Sequence, residues 1–330
     1  MNKSEYEAVR DGGVGLIDLS SRGRIRVTGS EAVMFLNGLI TNDMKTLAEH
    51  RWMPAVFPNV QGRLIGAVRI ARVESGFLID TDPASHDAVL KTIVRFTFAG
   101  DFKVADMTAE TGLLSVQGKT AAGVIEKVFA RSYADLPRDG VAEIEWQDVP
   151  ITIMRATHTA EDGFDLFVDS ANAPRLRQSL SDAGAQPVSE GTFEILRVEA
   201  GIALHGRDMD ESNVVTETNL DDAVSYTKGC YLGQEIIVRI KHRGHVAKKL
   251  TGLIFETDGA IPAGTILKDA GQKEIGKVTS TVLSPKLGST IGLGYVRYEY
   301  LTAGTVVFVD NEIKVTVAEL PFVRGSWYQN

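Results

Sequence analysis

Arg24-Ile-Arg-Val-Thr-Gly29-Ser30 reads as a short alternating strand that stops at a glycine and hands over to a helix, with Ser30 at the N-cap and Ala32, Phe35, Leu36 and Leu39 at helical spacing. The design recurs at Leu113-Leu-Ser-Val-Gln-Gly118, where Thr120 precedes Ala121, Val124, Ile125 and Val128. Laying residues 24–106 on 113–200 extends the match. Each half continues with two strand-like runs, the second introduced by a glycine-aromatic pair, Gly76-Phe77 in one and Gly163-Phe164 in the other. Each then enters a helix, around Ala84 to Val94 and around Ala171 to Ala183. A period of about 90 residues is too long for a solenoid, so the pattern predicts two related α/β units packed together.

From Leu250 onward helical periodicity disappears. Short strands at Leu250–Glu256, Thr265–Lys268, Glu274–Leu283, Ile291–Arg297, Thr305–Val309 and Glu312–Ala318 alternate with turns such as Asp258-Gly259, Pro262-Ala-Gly264 and Asp310-Asn311. The expected fold class is therefore α+β: one unit over 1–110, its repeat over 111–200, a connecting segment 201–249 and an antiparallel β-barrel over 250–330.

Composition narrows the function. The chain of 330 residues is 44% hydrophobic and 24% charged, with 35 Lys+Arg against 43 Asp+Glu and a formal net charge of −8. Such a balance excludes disorder and argues against nucleic-acid binding by the whole surface, which needs a cationic field. A single cysteine excludes an intrachain disulfide or a four-cysteine metal site within one chain. The start, Met1 to Gly15, carries Glu5, Glu7 and Asp11 and lacks the apolar stretch of a signal peptide; no apolar run reaches the roughly 18 residues of a membrane span. A reducing, cytoplasmic location is expected, with no membrane and no nucleic acid as partner.

The connecting segment is chemically the densest. In Lys228-Gly-Cys-Tyr-Leu-Gly-Gln-Glu235 the only cysteine, Cys230, lies near Lys228, whose ammonium would favour a thiolate. Gly229 and Gly233 permit positive φ or close approach of a ligand, and Tyr231 offers an aromatic face. By physics alone a lone cysteine is more often a small buried hydrophobe than a nucleophile. A cationic run follows, Arg239, Lys241, Arg243, Lys248 and Lys249 with His242 and His245, which reads as a solvated face or as an anion site for a polycarboxylate or phosphate. The two histidines have no carboxylate or thiol within the run, and no metal site is expected. Ser189 heads a further helix carrying Glu194 and Arg197 at pairing distance, by default a surface salt bridge, while Glu199 points elsewhere. Arg155-Ala-Thr-His-Thr-Ala-Glu-Asp-Gly-Phe-Asp165 gathers carboxylates around a glycine turn. A carboxylate fixed there can accept two parallel N–H bonds from an aminopyrimidine edge such as pterins and guanines present.

At these residues a resemblance becomes specific. Lys228-Gly-Cys-Tyr-x-Gly-Gln-Glu235, preceded by Asn219-Leu-Asp-Asp-Ala-Val-Ser225, resembles the signature of the YgfZ family of folate-binding proteins, related to a mitochondrial iron-sulfur assembly factor and a branch of the glycine cleavage T-protein (aminomethyltransferase) superfamily. Ile17-Asp-Leu-Ser20, Gly23 to Gly29, Thr41-Asn-Asp43, Arg155 to Leu166 and Leu196-Arg-Val-Glu-Ala-Gly201 resemble the wider superfamily. The resemblance implies a ring of the two units and the barrel around a channel that receives tetrahydrofolate or a polyglutamylated derivative. Glu161 and Asp165 would contact the pterin, Arg197 and Glu199 would line the channel, and Arg239, Lys241 and Arg243 would attract the γ-glutamyl tail. Asp165 replaces the glutamate usual in T-proteins, and His158 stands where they carry tyrosine.

Gln61-Gly-Arg-Leu-Ile-Gly-Ala-Val-Arg69 departs further: T-proteins carry paired aspartates, one of them catalytic, where this chain has Gly66 and Ala67. Neither residue can transfer a proton or stabilise a developing cation. The expected function is a folate-binding accessory protein for iron-sulfur clients or assembly partners, with Cys230, Lys228, Tyr231, Gly233, Gln234 and Glu235 as its functional motif. The alternative is aminomethyl transfer or demethylation using another acid or base, for instance Glu199 or His158.

Overall fold

A computed structural model describes residues 2–97, 100–310 and 312–329. After helix α1 (Lys3–Arg10) and strand β1 (Gly15–Asp18), the first unit runs β2 (Gly23–Thr28), α2 (Ala32–Leu39), β3 (Trp52–Pro58), β4 (Leu64–Val73), β5 (Gly76–Thr81), α3 (His86–Arg95) and β6 (Lys103–Asp106). The second repeats the order: β7 (Thr111–Gln117), α4 (Ala121–Phe129), β8 (Val141–Trp146), β9 (Val149–Arg155), β10 (Gly163–Asp169), α5 (Ala173–Asp182) and β11 (Gln186–Pro187). Sheet orders β3-β4-β5-β2-β6 and β8-β9-β10-β7-β1-β11 superimpose except at one place. In the second unit β1 pairs antiparallel with β7 where β6 pairs with β2, and so displaces β11 one position outward. The N-terminal strand thus completes the sheet of the later repeat.

Both units obey the alternation of a two-faced strand. On β4, Val68 and Ile70 face α2 and α3 together with Ile25, Leu36, Phe57, Ile79, Val89 and Ile93. On β10, Phe164, Leu166 and Val168 face α4 and α5. The opposite faces meet: Ala71, Val73 and Leu78 of the first sheet pack on Leu113, Met154 and Phe167 of the second. Buried apolar area of this kind contributes roughly 25 cal/mol per Å², and it makes the seam a core in its own right.

One capping expectation is corrected. Ser30 does not cap α2; Glu31 occupies the N-cap position, and the Ser30 hydroxyl donates to Asp101 instead. Thr120 stands at the N-cap of α4 but its hydroxyl donates to the Gly12 carbonyl, tying the helix start to the loop before β1.

Helix α6 (Glu190–Glu199) leads through an irregular stretch to α7 (Gln234–Arg243) and then to β12 (Lys248–Phe255), β13 (Ile266–Lys268), β14 (Glu274–Ser284), β15 (Ser289–Arg297), β16 (Val306–Val309) and β17 (Ile313–Ala318). These six close as β12-β15-β14-β13-β16-β17 around Leu253, Phe255, Leu267, Val278, Val296, Val307 and Val315. The fold is α+β with a closed antiparallel barrel. Of the Asp310-Asn311 turn, Asn311 lies outside the described residues. Val198 of α6 packs on Leu250, Ile291, Leu293 and Tyr295, which joins the barrel to the units.

Candidate functional site

Where the paired sheets approach α1, α6 and the barrel, the seam changes from apolar to ionic. Arg69 is the residue of change: it follows Ala67 and precedes Ala71 on the inward face of β4. Its Nε donates to Asp80 Oδ2 at 2.8 Å, on the neighbouring strand β5, and its Nη1 lies 2.7 Å from Asp165 Oδ2 on β10. His158 Nε2 lies 3.1 and 2.9 Å from the two Asp165 oxygens. Arg22 completes the chain, bidentate to Asp80 at 2.8 and 2.9 Å and paired with Asp82. Asp80 is 1% exposed and Asp165 fully buried, so each charge depends on its partners. Burial alone would raise the Asp165 carboxyl; His158 and Arg69 overcome it and hold the group well below the usual carboxylate range. Asp80 is likewise held down, by Arg22 and Arg69 against burial.

A second cluster surrounds Arg10 of α1. Its Nη1 donates to Glu161 Oε1 at 3.0 Å and to the Thr159 carbonyl at 2.6 Å, and its Nε to Glu199 Oε2 at 3.0 Å. Glu199 also accepts from Tyr6 Oη at 2.8 Å and Ser284 Oγ at 2.6 Å, and Glu161 from the Ser326 amide and hydroxyl. Burial, then the adjacent Glu199 charge, pushes the Tyr6 phenol far above its ordinary value, so it remains a donor.

Arg197 belongs to a third group. Its guanidinium bonds Glu194 at 2.7 Å, Asp208 at 2.8 Å and Ser280 Oγ at 2.8 Å. The Glu194–Arg197 pair is not the surface bridge expected from spacing, because Arg197 is fully buried under the barrel. Glu161, Asp165, Arg197 and Glu199 are thus distributed over three adjoining networks in which protein groups satisfy every one of them. Arg69, Asp80, Arg22 and Arg10 are not among the residues singled out for function in the sequence. The signal for Arg69 was present, a charge on the inward face of an otherwise apolar strand.

The cysteine motif sits apart. Lys228 is buried and its ammonium donates to the carbonyls of Asn37, Ile40 and Asn42 at 2.7, 2.9 and 2.6 Å, which caps the C-terminal end of α2. Those three bonds saturate its donors, so its place is that of an anchor for the loop. Burial pulls the ammonium down to about 8. Tyr231 lies under the loop with Val56, Leu64, Met209 and Ile237, and its ring faces the Lys228 ammonium at 5.0 Å. Gly233 has φ of +76°, and a Cβ there would stand 2.3 Å from the Asn59 carbonyl; the close approach is to backbone, not to a ligand. With the loop fastened at both ends, Cys230 is presented to solvent. It is not a small buried hydrophobe.

Gln234 is half-buried, while Glu235, Arg239 and Lys241 are exposed on α7; the side chain of Arg243 lies outside the described residues. His245 stacks on Tyr298, centroids 3.8 Å apart. Lys248, from the same cationic run, lines a cavity of about 310 Å³ between residues 207–213 and the barrel, together with Arg207, Lys277, Tyr295 and Arg297.

On β4, Gly66 faces α3: a Cβ at 66 would stand 2.5 Å from Val89 Cγ2. Ala67 faces the other way, toward the cluster under the cysteine loop. The space an acid would need at 66 is filled, and at 67 it is lined by apolar groups. Among the described residues no helix is long and apolar enough to cross a membrane.

Comparison with known proteins agrees with this architecture. Residues 1–228 match the GCVT N-terminal domain and residues 248–324 the glycine cleavage T-protein C-terminal barrel domain. An aminomethyltransferase of Rubrobacter xylanophilus is 32% identical over 98% of this chain and 86% of its own length. One of Thermotoga neapolitana is 30% identical over 98% and 89%. The crystal structure of the glycine cleavage system aminomethyltransferase T from Bartonella henselae covers 97% of this chain and 89% of its own, with a TM-score of 0.90 and 26% identity. With both domain types matched in order and relatives alike over nearly the full length, the chain belongs to the glycine cleavage T-protein superfamily.

Proposed function

We propose that this protein binds a reduced folate, tetrahydrofolate or a polyglutamylated derivative, and serves as an accessory factor of the YgfZ type for assembly or repair of iron-sulfur clusters in client enzymes, with Cys230 as its working thiol. One observation carries the reading. A side chain at Gly66 of β4 would collide with Val89, at the pair Gly66 and Ala67 where the resemblance puts the acids of T-proteins. On this reading the buried carboxylates are the surround of a folate site without its proton-transfer group, and a separate loop, held by its buried lysine, displays a single thiol.

The fit of a pterin to these residues is tested by Asp165. Its carboxylate already pairs with a planar, charge-delocalised cation, the Arg69 guanidinium, through Nη1. An aminopyrimidine edge would offer the same carboxylate two parallel N–H donors where Arg69 offers one. The acceptor therefore fits the group, which would be seated on Asp165 with Arg69 drawn back to Asp80. The exposed cations Arg239 and Lys241, with Arg243 in the same run, suit the anionic γ-glutamyl tail, whose affinity would then fall with added salt.

Calorimetry of tetrahydrofolate and its triglutamate with the purified protein tests the folate half; absence of heat and of thermal stabilisation would remove it. Complementation tests the thiol half: a Cys230→Ala protein that restored cluster-dependent enzyme activity in a deletion strain as well as the parent would remove that.

A second reading, aminomethyl transfer or demethylation, is favoured by the whole-length similarity to proteins named aminomethyltransferase. It requires an acid or base other than a β4 aspartate, and two candidates for that role, His158 and Glu199, are already engaged by protein partners. Formation of methylenetetrahydrofolate from an aminomethylated carrier or a methylamine donor would establish it in place of the first.

A further inference from the structure

We infer that Arg69 is an internal surrogate ligand: its guanidinium holds Asp165 in the free protein and moves wholly onto Asp80 when an aminopyrimidine edge takes its place, so that Arg69 sets ligand affinity without contributing a contact to the bound ligand. The inference rests on the folate reading above and adds to it how the site is kept closed.

The geometry is that of a cation shared between two acids. Nε and Nη2 of Arg69 lie 2.8 and 2.7 Å from one oxygen of Asp80, while Nη1 alone reaches Asp165. Withdrawal from Asp165 leaves the arginine charge paired, so the exchange does not strand a buried cation. On the other side, Asp165 would lose its ion pair with Arg69 but keep His158, and the incoming edge would bring N–H donors in its place. The ring N–H and 2-amino group of a 2-amino-4-oxopyrimidine match a guanidinium in shape and donor direction at a carboxylate, but carry no charge, so the Asp165 charge is then left to His158. The side chain is 14% exposed while its partners Asp80 and Asp165 are buried, so the exchange would open the pair from the arginine side. The ligand class that follows is a flat heterocycle with a cyclic guanidine edge; a carboxylate or phosphate head group would meet Asp165 as a like charge. Because ligand binding must displace Arg69, part of the binding free energy is spent on that exchange, and apparent affinity is lower than the contacts alone would give.

The test compares the parent with Arg69→Met and Arg69→Ala by calorimetry against tetrahydrofolate and against tetrahydropterin, which lacks the glutamyl tail. Both variants are expected to bind on the order of tenfold tighter than the parent. Millimolar guanidinium should compete with the pterin in Arg69→Ala but not in the parent, and alone should raise the melting temperature of Arg69→Ala. A folded Arg69→Met that binds equally or more weakly than a parent that does bind would overturn the surrogate role and leave the folate reading standing. Failure of all three proteins to bind either ligand would overturn both. Should the substitutions impair folding, the guanidinium effect on the melting of Arg69→Ala decides alone: absence of any rise counts against the inference.

Discussion

Arg69 Nη1 stands 2.7 Å from Asp165 Oδ2, and this contact joins strand β4 of the first unit to strand β10 of the second at the place where their shared interface turns from apolar to charged. Beyond it the sheets are held by Ala71, Leu78, Leu113 and Phe167. The pair is thus both the ionic end of a hydrophobic seam and the group that a planar ligand would have to open.

Acid sensitivity follows from the depressed carboxyls at this seam. The Asp165 and Asp80 groups titrate below their unfolded value of 3.8, so the folded state binds fewer protons than the unfolded one in that range. Their contribution is complete above about pH 4 and is lost progressively as pH falls below it. Asp165→Asn is expected to lower stability at neutral pH and to flatten its decline between roughly pH 4 and 2, read from urea midpoints across that range.

Lys228 is expected to matter for stability rather than for thiol chemistry. Lys228→Met removes a buried cation that satisfies three carbonyls and should cost about 2–4 kcal/mol, measured by denaturant unfolding. Its thiol consequence would be indirect, through release of the loop. Alkaline titration of the native protein should show this ammonium losing its proton near pH 8 by nitrogen NMR, well before exposed lysines.

Cys230 is exposed and carries no packing role, so Cys230→Ser should leave stability within about 0.5 kcal/mol of the parent. The native thiol should react stoichiometrically with a disulfide reagent without prior unfolding. If the thiol works as proposed, the same substitution should abolish support of cluster-dependent enzymes in cells.

Restoring an acid to β4 distinguishes its two faces. Gly66→Asp drives a side chain into Val89 and should destabilise by on the order of 3 kcal/mol, whereas Ala67→Asp, on the opposite face, should cost less. An Ala67→Asp protein that gained formation of methylenetetrahydrofolate would show that an acid at this place on β4 suffices for the transfer.

Arg10 fastens α1 to both Glu161 and Glu199 with a side chain only 2% exposed. Arg10→Met leaves two buried carboxylates short of a counter-charge and should cost about 3–5 kcal/mol in thermal or denaturant unfolding.

The repeat of strand, glycine and helix was legible in the chain because alternation and helical spacing are local, and the barrel strands were legible because turn residues separate them to within two positions of the observed ends. Local pattern also located the cysteine motif, but not what its lysine does: the Asn37, Ile40 and Asn42 carbonyls that hold Lys228 come from a distant stretch of chain. The insertion of β1 into the second sheet was likewise invisible, since four residues of strand carry no mark of the partner they will pair with. Arg69 shows the division most plainly. Its sequence position places it on the inward face of β4, a fact of period two, but only the packing of one sheet upon the other determines that this face meets Asp165. A charge is read from one residue, whereas its counter-charge is chosen by the tertiary fold, because desolvation forces each buried ion to whichever partner the packed elements bring within reach.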